Sequence, residues 1–292
     1  MDTLRRYKTL PVWDARTLPA AFQSTHNTKA GTWAQLTILQ GTLDFALTDQ
    51  DGNVQETVQC SPECQPPLIQ PQQWHRIAGC SADMQCQLAF LCEPADYLSK
   101  KHALTRTHSE VLEAEPYLPQ RACRVLDLGC GKGRNALYLG MQGHNVNAWD
   151  KDGASLGQLR HIAEQESWPN VVSQQVDLGA PDLTLGGPYD FILSTVVLMF
   201  LPASAVMPLV ARMQQATAPG GLNLIVAAMD TPDCPCPVPF PFTFRPGELS
   251  GQYAGWDILK YNEEMGTLHR KDEQGNRIRL RFATLLARRP QG

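Results

Sequence analysis

The fold is decided by residues 125–135, Val125-Leu126-Asp127-Leu128-Gly129-Cys130-Gly131-Lys132-Gly133-Arg134-Asn135. An apolar strand runs into a D-x-G-x-G-x-G loop, and helical periodicity starts at once after it. Glycines in such a loop let a ligand come close to the backbone. The ligand is expected outside the carboxyl ends of the strands, near the switch in strand order. The loop is not the dinucleotide fingerprint G-x-G-x-x-G, whose third glycine would fall on position 134. That position is Arg134, and the third glycine comes one residue early, at Gly133. A Walker A loop is excluded too, because no G-K-[ST] follows at the required spacing.

Moving toward the C-terminus, the next strand ends Val146-Asn147-Ala148-Trp149-Asp150. An acid there can accept both hydroxyls of a ribose, a geometry shared with NAD enzymes. The third strand ends Val176-Asp177-Leu178, placing a second acid where an adenine amino group could donate. The fourth ends in Ser194-Thr195-Val196-Val197, and Pro219-Gly220-Gly221 precedes the fifth. Strands are expected at 124–128, 145–149, 171–176, 189–193 and 222–229, with helices at 134–142, 154–165 and 204–216. This alternation predicts a doubly wound α/β fold, a parallel sheet covered on both faces. The tail changes character: 256–261, 267–271 and 277–287 read as strands without intervening helices. Asp272-Glu273-Gln274-Gly275-Asn276 joins the last two as an antiparallel hairpin.

Toward the N-terminus, 104–118 is helical in period, and the first 95 residues alternate as β-structure. Leu36 and Ile38 share one face, as do Leu43, Phe45 and Leu47. Asp51-Gly52 supplies a hairpin turn, and 54–58 returns. The proline-rich 61–71 cannot be a central strand, while 74–77 and 84–92 read as two more strands. Short strands at this spacing predict a small all-β sandwich or barrel. The chain therefore divides into 1–95 and 96–292, with the boundary between 93 and 103.

Composition narrows the function. Twenty-five Lys and Arg against 29 Asp and Glu leave a net charge of -4, which argues against a general nucleic-acid binder. No apolar run approaches the ~20 residues of a membrane span. The opening MDTLRRYKTLPVWD lacks the apolar core of a signal peptide, so a cytoplasmic protein is expected. Nine cysteines, an odd number, argue against a disulfide framework. Cys60 and Cys64, and Cys234 and Cys236, have no second matching pair and read as reduced thiols. His26 and His75 are not in an H-x-H arrangement, so no metal is expected in the β-domain.

Asp127 to Gly133, Asp150, Asp177 and Pro219-Gly220-Gly221, followed by an antiparallel tail, resemble the class I S-adenosylmethionine-dependent methyltransferases. The resemblance implies a Rossmann-like sheet and S-adenosyl-L-methionine as cofactor. It places Gly129 and Gly131 beside the methionine moiety, Asp150 on the ribose and Asp177 on the adenine. Tyr97, Arg106, Asp127, Cys130, Arg134, Asn135, Lys151, Leu178, Thr195 and Val196 complete the expected donor site. Tyr97 could meet the donor's carboxylate, and Arg134 and Asn135 open a helix whose free N–H groups favour one.

A narrower resemblance is carried by 104–111, 191–201, 223–231, Leu268-His269-Arg270 and Gly275-Asn276-Arg277-Ile278. These strings look like the TehB family of tellurite-resistance methyltransferases. The N-terminal part, with Tyr7-Lys8-Thr9-Leu10-Pro11, is similar to the cupin-like β-domain of that family's long form. The acceptor implied is a small anion: tellurite, selenite or a thiol. A soft nucleophile needs little help from a base, but an oxyanion needs cationic donors, which arginine's planar fork supplies. His269, Arg270 and Arg277 are therefore the expected acceptor-binding residues, although Arg279, Arg281, Arg288 and Arg289 crowd the same stretch. A thiol methyltransferase and a donor-binding sensor are the competing readings. The proline-rich segment 233–244 is either a lid carrying Phe240, Phe242 and Phe244 or a loop packed on its own domain. The β-domain could serve homodimerisation, acceptor sensing or stability.

Overall fold

A computed structural model describes residues 4–291, apart from the side chain of His269. The chain forms two compact units, residues 1–104 and 105–292.

The first unit is all-β but for one helix. Its strands are β1 (Arg5–Asp14), β2 (Trp33–Gln40), β3 (Leu43–Thr48), β4 (Val54–Cys60), β5 (His75–Cys80) and β6 (Gln85–Cys92). They build two three-stranded sheets, ordered β1-β6-β2 and β4-β3-β5. The alternation read from the sequence is what packs them: Leu36, Ile38, Leu43 and Phe45 are all buried. Helix α1 (Pro94–His102) closes the unit, starting on a proline, which suits a helix's first turn. Strand β1 is not evident in the sequence. It carries Pro11 and pairs with β6 through two register shifts, so its side chains never settle into an alternation.

The second unit contains α2 (Ser109–Ala114), β7 (Arg124–Leu128), α3 (Arg134–Met141), β8 (Asn145–Asp150), α4 (Gly153–Gln165), β9 (Val171–Gln175), β10 (Tyr189–Thr195) and α5 (Ala203–Ala216). After these come β11 (Thr217–Ala228), α6 (Glu248–Gln252), β12 (Asp257–Lys271) and β13 (Arg277–Arg288). One seven-stranded sheet has the order β12-β13-β11-β10-β7-β8-β9. Strands β9 through β11 run parallel, and β13 is antiparallel to both β11 and β12. The doubly wound α/β sheet with an antiparallel C-terminal hairpin is thus present. Leu126, Leu128, Ile192, Ile225 and Leu285, from successive strands, meet in one buried cluster. Among the described residues, no helix is long and apolar enough to cross a membrane.

Three boundaries differ from the sequence reading. The expected helix at 104–118 shrinks to α2 and a 3-10 turn at Glu115–Tyr117 that contains Pro116. A helix is disfavoured at the residue before a proline. The side chain of His108 caps α2 by accepting from Glu110 N at 3.2 Å. The two expected strands at 256–261 and 267–271 form one fifteen-residue strand, β12. Polar Asn262, Glu263 and Glu264 hide it from a periodicity argument, yet all three pair with β13. Strand β11 begins five residues early and takes in Pro219-Gly220-Gly221 through a register shift against β10.

Beneath β11 lies a buried polar chain. Tyr253 donates its hydroxyl to Asn223 Oδ1 at 2.8 Å. Asn223 donates to Thr217 Oγ1 at 2.7 Å, and Thr217 to the Met213 carbonyl at 2.6 Å. Each buried polar atom there finds a partner, as a folded interior requires.

Candidate active site

Strands β7, β8 and β10 end on the same edge of the sheet. β8 lies on one side of β7 and β10 on the other, so chain direction leaves a crevice between them. The glycine loop fills its floor. Gly129 N and Cys130 N both donate to the Trp149 carbonyl, at 2.8 and 2.9 Å. Gly131 N donates to Asp150 Oδ2 at 2.7 Å, and Asp152 N donates to Asp150 Oδ1 at 2.9 Å.

Two glycines are required for different reasons. Gly129 has φ +75°, and a Cβ there would meet Val197 Cγ2 at 2.4 Å. Gly131 has φ +53°, but a Cβ there would meet nothing within 4 Å. The first glycine is demanded by protein packing, and the second leaves space open.

Asp127 is 1% exposed, and its Oδ2 has no hydrogen-bond partner. Burial pushes its carboxyl up to about 7; the Arg134 charge opposes the rise and Asp150 adds to it. A cation arriving near this oxygen would favour the ionised form. Cys130 is also buried, which pushes its thiol up and keeps it neutral.

Arg134 and Asn135 open α3. Asn135 is buried; it accepts from His108 N and donates to Thr195 Oγ1, both at 3.0 Å. Thr107 Oγ1 donates to the Arg134 carbonyl at 3.2 Å. Residues 107 and 108 are thus fastened to the first turn of α3, with Arg106 beside them and exposed. Tyr97 belongs to the first unit, where it is buried on α1 and accepts from Lys101 Nζ at 2.7 Å.

At the end of β10, Val196 has φ +62°. A β-branched residue in that region is strained, and such strain clusters at ligand sites. Its N–H donates to the Val226 carbonyl at 2.6 Å, which holds the kink. A cleft of about 330 Å³ opens here. Gly129, Asp150, Lys151, Asp177, Leu178 and Val196 line it, all expected from the sequence. Val176, Val197, Phe200 and Leu201 line it as well and were not expected. Their signal is apolar sequence just after a strand end, which looks the same as core. Asp177 Oδ1 accepts from Gly179 N at 2.9 Å and is exposed at the rim.

The expected acceptor residues lie on the C-terminal hairpin. Strand β13 pairs with β11 from Arg288 back to Phe282, and Met229 N still donates to the Arg281 carbonyl at 2.9 Å; nearer the turn, among the described residues, β12 is the strand beside it. The hairpin is therefore a two-stranded ribbon running past the end of β11. Arg270 and Arg277 are exposed on it, and neither lines the cleft. Lys271, not Arg270, is the partner of Arg277. The side chain of His269 lies outside the described residues. Arg281 ties the ribbon to the proline-rich loop by donating to Asp233 Oδ2 at 2.7 Å.

That loop does two things. Phe244 is fully buried, and Phe242 packs edge-on against it with centroids 4.8 Å apart. Phe240 reaches Phe200 on the cleft lining, 5.2 Å away and nearly perpendicular. Among the described residues, no group of three or more His, Cys, Asp or Glu could hold a metal ion.

The donor set fits an adenosyl ligand that carries a charged tail. Asp150 offers acceptor oxygens at the cleft, Asp127 is an orphaned buried acid, and a side chain on Gly131 would meet no protein atom.

Comparison with known proteins agrees with this geometry. The family model for tellurite resistance protein TehB matches residues 90–286, and a TehB-like domain model matches residues 8–88. A probable S-adenosyl-L-methionine-dependent methyltransferase TehB from Haemophilus influenzae is 46% identical over 283 residues, covering 97% of each chain. A protein of Eikenella corrodens named Hemagglutinin 1 is 43% identical over 241 residues, 82% of this chain and 79% of its own. The crystal structure of TehB from Haemophilus influenzae superposes with a TM-score of 0.92 at 45% identity, covering 99% of both chains. The chain belongs to the TehB family and is an S-adenosylmethionine-dependent methyltransferase of class I fold.

Proposed function

We propose that this enzyme methylates tellurite, and selenite by the same chemistry, as a cytoplasmic detoxification step. The observation that carries the reading is the arginine-bearing ribbon, which overhangs β11 at the edge of the sheet where the cleft opens. Catalysis is assigned to residues 96–292, with 1–95 as an accessory β-domain.

When bound, S-adenosylmethionine supplies a methyl group on a sulfonium, ready for in-line displacement. The protein then has mainly to position and desolvate the reactants. Asp150 takes the ribose hydroxyls, and Asp177 and Leu178 take the adenine, with Lys151 beside them. Gly129, Cys130 and Gly131 pass under the methionine portion. Asp127 would meet its cationic end, and Arg134 and Arg106 would hold its carboxylate. Asn135 holds Thr195, and through it the strained Val196, at the mouth of the cleft. His269, Arg270 and Arg277 hold the acceptor oxyanion, and Phe240 closes against Phe200 to exclude water. No general base is assigned, because the acceptor's own lone pair is a competent nucleophile.

A thiol or another small anion is the alternative acceptor, and a donor-binding sensor the alternative role. Methyl transfer from labelled S-adenosylmethionine to tellurite, selenite and a panel of thiols separates them. Turnover on tellurite that falls in Arg270→Ala and Arg277→Ala, with S-adenosylhomocysteine binding intact, is the expected result. Turnover on thiols alone would replace the acceptor. Binding without turnover on any of them would replace the enzyme reading with the sensor.

A further inference from the structure

The first unit contains a cavity of about 520 Å³ between the sheets of its sandwich. Well-packed interiors do not leave voids of that size, and small-molecule sites commonly do. Aromatic and aliphatic side chains share its walls. Trp13 and Phe22 pack 5.2 Å apart, and Phe45 stacks on the ring of His75 at 5.5 Å. Two imidazoles face each other in the wall: His26 and His75 lie 4.3 Å apart, on segments joined by paired backbone hydrogen bonds.

Both histidines are held in one tautomer. His26 Nδ1 meets the Ser24 carbonyl and His75 Nδ1 the Gln73 carbonyl, each at 2.8 Å. A carbonyl only accepts, so each neutral ring carries its proton on Nδ1 and leaves Nε2 as an acceptor. His75 is 5% exposed, and burial pulls it down to about 4, so it is uncharged at neutral pH. Two imidazoles without a third donor do not make a metal site.

Charge in the lining is one-sided. Among the described residues, Lys8, Lys29 and Lys100 line the cavity, and no Asp or Glu does. Lys100 Nζ is fixed by Thr32 Oγ1 at 2.8 Å and sits 5.6 Å over the Tyr7 ring.

We propose that this cavity is a binding site for a small aromatic carboxylate bearing a ring N–H or O–H donor. The aromatic body fills the space between Trp13, Phe22 and Phe45. The carboxylate meets the lysines, and the ring donor meets Nε2 of His75. The site is separate from the methyl-transfer cleft and does not rest on the acceptor assigned above.

The test uses the full-length chain with indole-3-acetate and its uncharged analogue indole-3-acetamide, followed by methyl NMR and calorimetry. Indole-3-acetate is expected to shift the methyls of Ile69, Ile77 and Leu88, which line the cavity. The amide is expected to bind about tenfold more weakly, the size of one partly solvated charge contact. Lys8 and Lys29 are exposed, so the double variant Lys8→Ala/Lys29→Ala should fold and lose a similar factor. His75→Phe keeps a ring in the wall but removes the acceptor; it should weaken indole-3-acetate more than naphthalene-1-acetate, which has no ring donor. Equal binding of acid and amide, shifts confined to other methyls, or no binding at millimolar concentration would each overturn the proposal.

Discussion

Asp150 Oδ2 accepts the Gly131 amide at 2.7 Å, so the acid at the end of β8 is bonded to the loop that leaves β7. One carboxylate therefore shapes the glycine loop and presents acceptors to the cleft. Asp150→Ala should lose both roles, and Asp150→Asn should keep the loop through its amide oxygen while losing the charge. Hydrogen bonds to charged groups are worth about 1.5–3 kcal/mol, so S-adenosylhomocysteine affinity should fall roughly 10- to 100-fold in the alanine variant. Calorimetric titration of the two variants reads the difference. Equal losses would mean that Asp150 acts by charge alone.

The two glycines should separate stability from binding. Gly129→Ala places a methyl 2.4 Å from Val197 Cγ2 at positive φ and should lower the melting temperature markedly. Gly131→Ala meets no protein atom and should cost only the left-handed backbone penalty, about 1–2 kcal/mol. The proposed donor site puts the methionine portion beside Gly131, so S-adenosylhomocysteine affinity should fall further than stability does. Thermal unfolding beside ligand titration distinguishes the two.

Asp127 should make stability depend on pH. Its folded-state value of about 7 lies above the ordinary carboxylate range, so the folded protein holds this proton more tightly than the unfolded chain. This contribution is present in full below about pH 4. It is lost as pH rises through 7. Asp127→Asn should remove that slope, which denaturant unfolding between pH 5 and 8 would reveal. Donor affinity should rise over the same interval in the wild type, because the ionised carboxylate attracts a cation, and should stay flat in the variant.

Asn223 links Tyr253 to Thr217 in the buried chain beneath β11. Asn223→Ala should leave the buried Tyr253 hydroxyl without its acceptor and destabilise the fold by about 1–3 kcal/mol. The denaturant midpoint should fall with its slope unchanged, and affinity for S-adenosylhomocysteine should be retained. A matching loss of affinity would show that the sheet transmits the defect to the cleft.

That part of the expected donor set shares one cleft follows from local signals. A glycine loop and acids at strand ends occupy fixed positions relative to strands that periodicity reveals, and Gly129, Asp150, Lys151, Asp177, Leu178 and Val196 do share one cleft. Val197, Phe200 and Leu201 escaped, because an apolar residue under a ligand looks like one in the core. Strand β1 escaped because its register shifts blur any alternation. The cavity of the first unit could not be read at all. His26 and His75 are distant in sequence, and only strand pairing brings their rings together. The proline-rich loop was readable as two alternatives, and it divides between them: Phe244 belongs to the core and Phe240 to the cleft rim.

Among the described residues, the ribbon formed by β12 and β13 has no third strand beyond Phe282. Amides near its turn should therefore exchange with solvent through local fraying that leaves β11 closed. Such a segment is also a free evolutionary variable. On the proposed acceptor assignment, its sequence can change without disturbing the glycine loop or the acids, which uncouples the choice of acceptor from the binding of the donor.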